Sequence, residues 1–166
     1  MAPSIIGNRP ALSGAECSFI KMDNGQGLKL YDDNWLALKT HAMQKHASKH
    51  GLAPMVGSNV FKFNKLGRIR LGYYTECVDK LLYDAYPDLG HWWGGEIDGE
   101  HYGGYWPKHK YWGASCCIDG PALNLPDIAQ QLADIGIKPY DLNYANVGWL
   151  PNGQFVCIDF GLCEWV

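Results

Sequence analysis

A chain of 166 residues fits one domain, or one domain with a small appendage, and leaves no room for two of full size. With 47% apolar and 19% charged residues and a net charge of −3, it is neither globally disordered nor enveloped in a basic field suited to nucleic acid. No apolar run approaches the roughly 20 residues of a transmembrane helix, and the opening MAPSIIGNRP lacks the basic-then-apolar pattern of a signal peptide. The expectation is therefore a cytoplasmic protein with no membrane partner. The cysteines at 17, 77, 116, 117, 157 and 163 form no C-x-x-C pair and are expected as reduced thiols packed as small apolar groups.

In chain order, Cys17 to Met22 reads as a strand, followed by a turn holding Asn24-Gly25 and a returning strand over Leu28 to Tyr31. Asp32-Asp33-Asn34 offers cap oxygens for a helix over 35–50, and Gly51 sits where such a helix stops. Asn59 to Phe63 and Arg68 to Thr75 are strands flanking the turn Asn64-Lys65-Leu66-Gly67. Residues 83–113 hold four of the seven Trp and seven of the 20 Gly. They show neither helical nor strand periodicity, and are expected as a loop-rich insertion. Asn124 then caps a helix with Pro126 in its first turn and an apolar stripe of Ile128, Leu132 and Ile135. A last hairpin runs from Asn146 to Trp149, turns at Pro151-Asn152-Gly153, and returns over Phe155 to Ile158.

The sharpest chemical signal brackets that hairpin. Asp141-Leu142-Asn143-Tyr144-Ala145-Asn146 reads D-L-x-x-x-N, and Asp159-Phe160-Gly161 reads D-F-G. Asp141 lies 18 residues and Asn146 13 residues before Asp159. In these motifs and spacings the sequence resembles the protein-kinase-like superfamily. The resemblance implies Mg-ATP as the bound group. Asn146 and Asp159 would supply hard oxygen ligands to Mg²⁺ from the two ends of one hairpin, and Asp141 would act as base toward the attacking hydroxyl. The alternative for all three is ordinary Asx-turn chemistry around a hairpin.

The first half fits the same resemblance. Gly14, within Ser13 to Ile20, stands in the place of the Gly-rich loop. Lys29 stands at the phosphate-binding lysine, with Lys21 on the paired strand as a rival. The helix over 35–50 takes the helix C position. Leu71 to Asp79 runs like a fifth strand into a hinge, where backbone at Glu76 to Val78 would meet an adenine edge and Thr75 lies in the gatekeeper region.

The departures are equally specific. No Glu occurs between Cys17 and Thr75, so the usual Lys–Glu pair is absent. Gln44, or less favourably His41, is the candidate replacement, and the alternative is that Gln44 faces solvent. Pro139 and Tyr140 replace the His-Arg of H-R-D. Five residues follow Gly161, too few for an activation segment and A-P-E. A zinc site among His91, His101, His109, Cys116 and Cys117 matches no standard ligand spacing. The Trp/Tyr-rich stretch is either a binding face or a small satellite core.

The expected fold is α+β. It comprises a kinase-like small lobe over 1–79, a five-stranded antiparallel sheet with helix C, and a reduced second lobe over 80–166 with its insertion at 83–120. The implied function is phosphoryl transfer from Mg-ATP, with a protein hydroxyl as the favoured acceptor. A pseudokinase-type module acting on a protein partner without transfer is the alternative.

Overall fold

The structure, a computed structural model, describes residues 12–13, 17–80, 91–97, 100–106, 125–139, 142 and 146–166. It is α+β. Strands β1 (Leu12–Ser13), β2 (Cys17–Lys21) and β3 (Gln26–Tyr31) precede helix α1 (Asn34–Lys49), and β4 (Phe61–Lys65) and β5 (Arg68–Glu76) follow it. These strands form one antiparallel sheet in the order β1-β2-β3-β5-β4. Four of them run five residues or more, and β1 is a two-residue pairing on the outer edge of β2.

Local chemistry explains the boundaries. Asn24 Oδ1 accepts from the Gln26 amide at 3.0 Å and Gly25 takes φ 81°, which closes the β2–β3 turn. Asp33 caps α1 by accepting from the Leu36 amide at 3.0 Å, while Asp32 pairs with Arg68 at 2.7 Å and Arg70 at 3.0 Å. The helix ends at the His50 cap, and Gly51 takes φ 72°. The β4–β5 turn is tighter than the sequence suggests. Lys65 pairs with Arg68, leaving Leu66 (φ 54°) and Gly67 (φ 76°) as a two-residue turn with both residues left-handed.

Strand β6 (Asp79–Lys80), at the expected boundary between the two halves, pairs with β10 (Val147–Trp149), which in turn pairs with β11 (Phe155–Cys157). Between them come β7 (His91–Ile97), β8 (Glu100–Trp106), α2 (Leu125–Asp134) and β9 (Ile137–Pro139). Strand β12 (Cys163–Trp165) returns from the D-F-G segment to pair with β9. The β7–β8 hairpin corrects the loop-rich expectation for 83–113. Trp92 is paired with Tyr105 and Gly94 with Gly103. Aromatic residues favour strands, but the Gly94-Gly95 and Gly103-Gly104 doublets erase the alternation by which a strand is recognised. The rest of 83–120, including Cys116 and Cys117, lies outside the described residues, as do Asn124, Gly14 and Asp141.

Helix α1 is packed on two sides. Ala37 meets Tyr31, Leu71 and Tyr73 of the sheet. Met43 and Ala47 belong to a second cluster with Ile128, Leu132, Val147, Phe155 and Phe160. The helix therefore joins the sheet to the C-terminal hairpin, and the space beside that junction is the candidate site. At the same junction the β3 and β5 backbones come close at Gly72, where a Cβ would strike the Lys29 carbonyl oxygen.

Candidate functional site

A pocket of about 210 Å³ opens between the sheet, α1 and the β10–β11 hairpin. Lys29, Glu76, Val78, Asn146 and Asp159, five of the seven residues singled out in the sequence, line it together with Gln44 and Thr75. The other two, Gly14 and Asp141, are outside the described residues, so the structure gives them no position.

Lys29 is set inward by strand alternation. Leu28 and Leu30 face one apolar cluster, while Tyr31 lies on the α1 side. Lys29 is buried at 8% exposure, whereas the rival Lys21 is exposed at the end of β2. Its Nζ donates to Gln44 Oε1 at 3.0 Å and to the Ile158 carbonyl at 2.6 Å, and it sits 5.9 Å from the centroid of the Tyr73 ring. Burial opposes its charge, but Tyr73, Asp159, Cys17 and Cys157 outweigh it, and the ammonium is held above the ordinary lysine range.

Gln44 is fully buried and uses all four of its hydrogen-bonding positions. Oε1 accepts from Lys29 and from the Tyr73 hydroxyl at 3.2 Å. Nε2 donates to the Pro54 carbonyl at 3.1 Å and to Thr75 Oγ1 at 2.8 Å. A carbonyl cannot donate, so the Pro54 contact fixes which end of the amide faces Lys29. His41, the less favoured replacement, is engaged elsewhere: its Nε2 lies 2.7 Å from the Gly57 carbonyl and its ring meets Tyr73 edge-on.

The D-F-G segment is tied at several points. Ile158 donates its amide to the Asn146 carbonyl at 2.9 Å, which ties Asn146 to the residue before Asp159 across the hairpin. Asp159 is exposed to the pocket, and its Oδ1 accepts from the Gly161 amide at 2.9 Å. Phe160 is fully buried against α1 and α2. Cys157 Sγ lies 3.2 Å from the Asp159 carbonyl and Cys163 Sγ lies 4.0 Å from it. The hydrogen bond with Cys157, together with burial, pushes the Cys163 thiol well up, so it stays protonated at neutral pH.

Lys39 is the contributor that sequence reasoning missed. From α1 it donates to the carbonyls of Gly161 at 2.8 Å and Cys163 at 2.9 Å, clamping the segment after Asp159 to the helix. Backbone carbonyls carry no residue signature, so nothing in the sequence marks this clamp. His46 adds a second tie, with Nε2 2.8 Å from the Ile135 carbonyl and its ring against Trp165.

Among the described residues there is no cluster of three or more His, Cys, Asp or Glu able to hold a metal, and no helix is long and apolar enough to cross a membrane. Asn146 and Asp159 remain a pair of residues with hard oxygen donors lining the same pocket as the buried Lys29. That donor set suits Mg²⁺ accompanied by ligand oxygens rather than a site built wholly from protein. No family model matches the chain, and no curated protein matches it significantly.

Proposed function

We propose that the chain is a kinase-like phosphotransferase that binds Mg-ATP in this cleft and transfers a phosphoryl group to a protein hydroxyl. The observation that carries the reading is the convergence of Lys29, Gln44, Asn146 and Asp159, from β3, α1 and the C-terminal hairpin, on one pocket. The strand–helix–strand–strand order with β3, β5 and β4 side by side also supports a kinase-like small lobe, with residues beyond 80 belonging to a second lobe.

In this reading Lys29 binds phosphate oxygens and Gly14's loop covers them. Backbone at Glu76 to Val78 takes an adenine edge. Asn146 and Asp159 would hold Mg²⁺, which would neutralise the charge developing on the transferred phosphoryl group. The Asp141 carboxylate accepts the proton of the attacking hydroxyl as the hydroxyl oxygen bonds to the γ-phosphorus and the bond from that phosphorus to the bridging oxygen breaks, releasing ADP. The reaction is cytoplasmic.

Incubation with γ-labelled ATP and Mg²⁺ tests this. Labelling of the chain or of added lysate proteins is expected from the wild type, and loss of labelling from Asp141→Ala and Asp159→Ala. Absence of labelling by the wild type contradicts transfer, and labelling that survives both substitutions points to a contaminant. The neutral Gln44, where the family pattern has a carboxylate, favours one second reading: a pseudokinase-type module that binds nucleotide and acts on a protein partner. That reading predicts an ATP-induced rise in melting temperature without labelling.

A further inference from the structure

Buried charges in proteins are normally held by an opposite charge in direct contact, and the direct hydrogen-bond partners of Lys29 depart from this. Both of its acceptors, Gln44 Oε1 and the Ile158 carbonyl, are neutral. Among the described residues no carboxylate forms an ion pair with the Lys29 ammonium. The pocket's two carboxylates are each turned to a backbone amide. Asp159 accepts from Gly161, and Glu76 Oε2 accepts from Met55 at 3.2 Å. Asp159 is moreover exposed, and it acts on the Lys29 ammonium across the pocket rather than by direct contact.

The neutrality of Gln44 is enforced by its surroundings. A glutamate there would point its second oxygen at the Pro54 carbonyl, which can only accept. A helix carboxylate beside the lysine would also compete with an incoming phosphate for the ammonium and repel it, a cost a divalent cation ordinarily offsets. Gln44 orients Lys29 through a hydrogen bond and leaves its charge for the ligand.

We infer that the cleft holds a polyphosphate through Lys29, whose hydrogen-bond partners are both neutral, with Gln44 as its positioning residue, so that nucleotide binding depends little on a divalent cation. This rests on the nucleotide-binding reading above and adds the manner in which the anion is held.

Calorimetric titration of the intact chain with ATP, tripolyphosphate and adenosine, each in Mg²⁺ and in excess EDTA, tests it. The wild type is expected to bind ATP in EDTA within about tenfold of its affinity in Mg²⁺, to bind tripolyphosphate in EDTA, and to bind adenosine more weakly than ATP. Lys29→Met is expected to lose more than about tenfold in both conditions. Gln44→Glu is expected to lose more than about tenfold in EDTA and to recover in Mg²⁺. If that variant does not fold, Gln44→Met keeps the site neutral and is expected to keep the cation independence at reduced affinity. ATP binding by the wild type in Mg²⁺ but not in EDTA overturns the inference and leaves the nucleotide reading standing. Binding in neither condition overturns both, and adenosine binding as tight as ATP overturns the role of Lys29.

Discussion

Helix α2 buries Ile128, Ala129 and Leu132 on one side and keeps Asp127, Gln130 and Gln131 in water. Helix α1 buries Ala37, Met43 and Ala47 together with Thr40, His41 and Gln44, three of them polar. The first is an amphipathic helix lying on a core. The second is enclosed between a sheet and a hairpin, and its polar residues are buried because each has a partner: Leu36 O at 2.8 Å for Thr40, Gly57 O for His41, and the four-bond set for Gln44. The contrast locates the chemistry. An apolar stripe reports packing, and a satisfied polar group inside a packed helix reports a position the fold holds to a stated geometry.

Substitutions on the two helices are expected to separate packing from site. Leu132→Ala should cost about 3 kcal/mol by removing a fully buried side chain from the core, with nucleotide affinity unchanged once the protein is folded. Denaturant melts and binding on the same sample check this. Gln44→Leu should cost about 2 to 3 kcal/mol, because the Lys29 ammonium, the Tyr73 hydroxyl and the Pro54 carbonyl each lose a partner. Unlike Leu132→Ala, it should also weaken ATP binding. Equal affinity in the two variants would erase the distinction drawn between the helices.

Lys39→Met should cost about 1 to 2 kcal/mol, by freeing two half-buried carbonyls after Asp159. Its effect on labelling should appear as a raised Mg²⁺ requirement. Asp33→Ala, which removes the α1 cap, should cost about 1 kcal/mol with no change in binding. The smallest effect is a pH dependence. Lys29 is held above its ordinary range, as is Tyr31, whose hydroxyl burial pushes well up. Both groups keep their protons in the folded state at pH values where the unfolded chain releases them. Their contribution is therefore full below about pH 10 and lost as pH rises through the folded values. Melting temperature should fall on that alkaline side, less steeply in Lys29→Met.

Much of this was legible in the sequence where local chemistry decides. The Asn-Gly turn, the Asp33 cap, the Ile128–Leu132 stripe and the hairpin between Asn146 and Asp159 each follow from residue types at fixed offsets. Gln44 was legible as a candidate through the absence of any Glu on α1, but its four partners come from 10 to 31 residues away, and tertiary geometry alone chooses it over His41. The Lys39 clamp was hidden because carbonyls have no sequence identity. The β7–β8 hairpin was hidden because Gly94-Gly95 and Gly103-Gly104 interrupt the alternation along each strand.

The central claim is that the Lys29–Gln44 pair and Asp159 form one anion-binding cleft. The most direct measurement is the melting temperature of wild type and Lys29→Met with and without saturating ATP and Mg²⁺. The account predicts a clear ATP-dependent rise in the wild type that Lys29→Met abolishes while still melting cooperatively. An equal rise in both proteins, or none in the wild type, would contradict it.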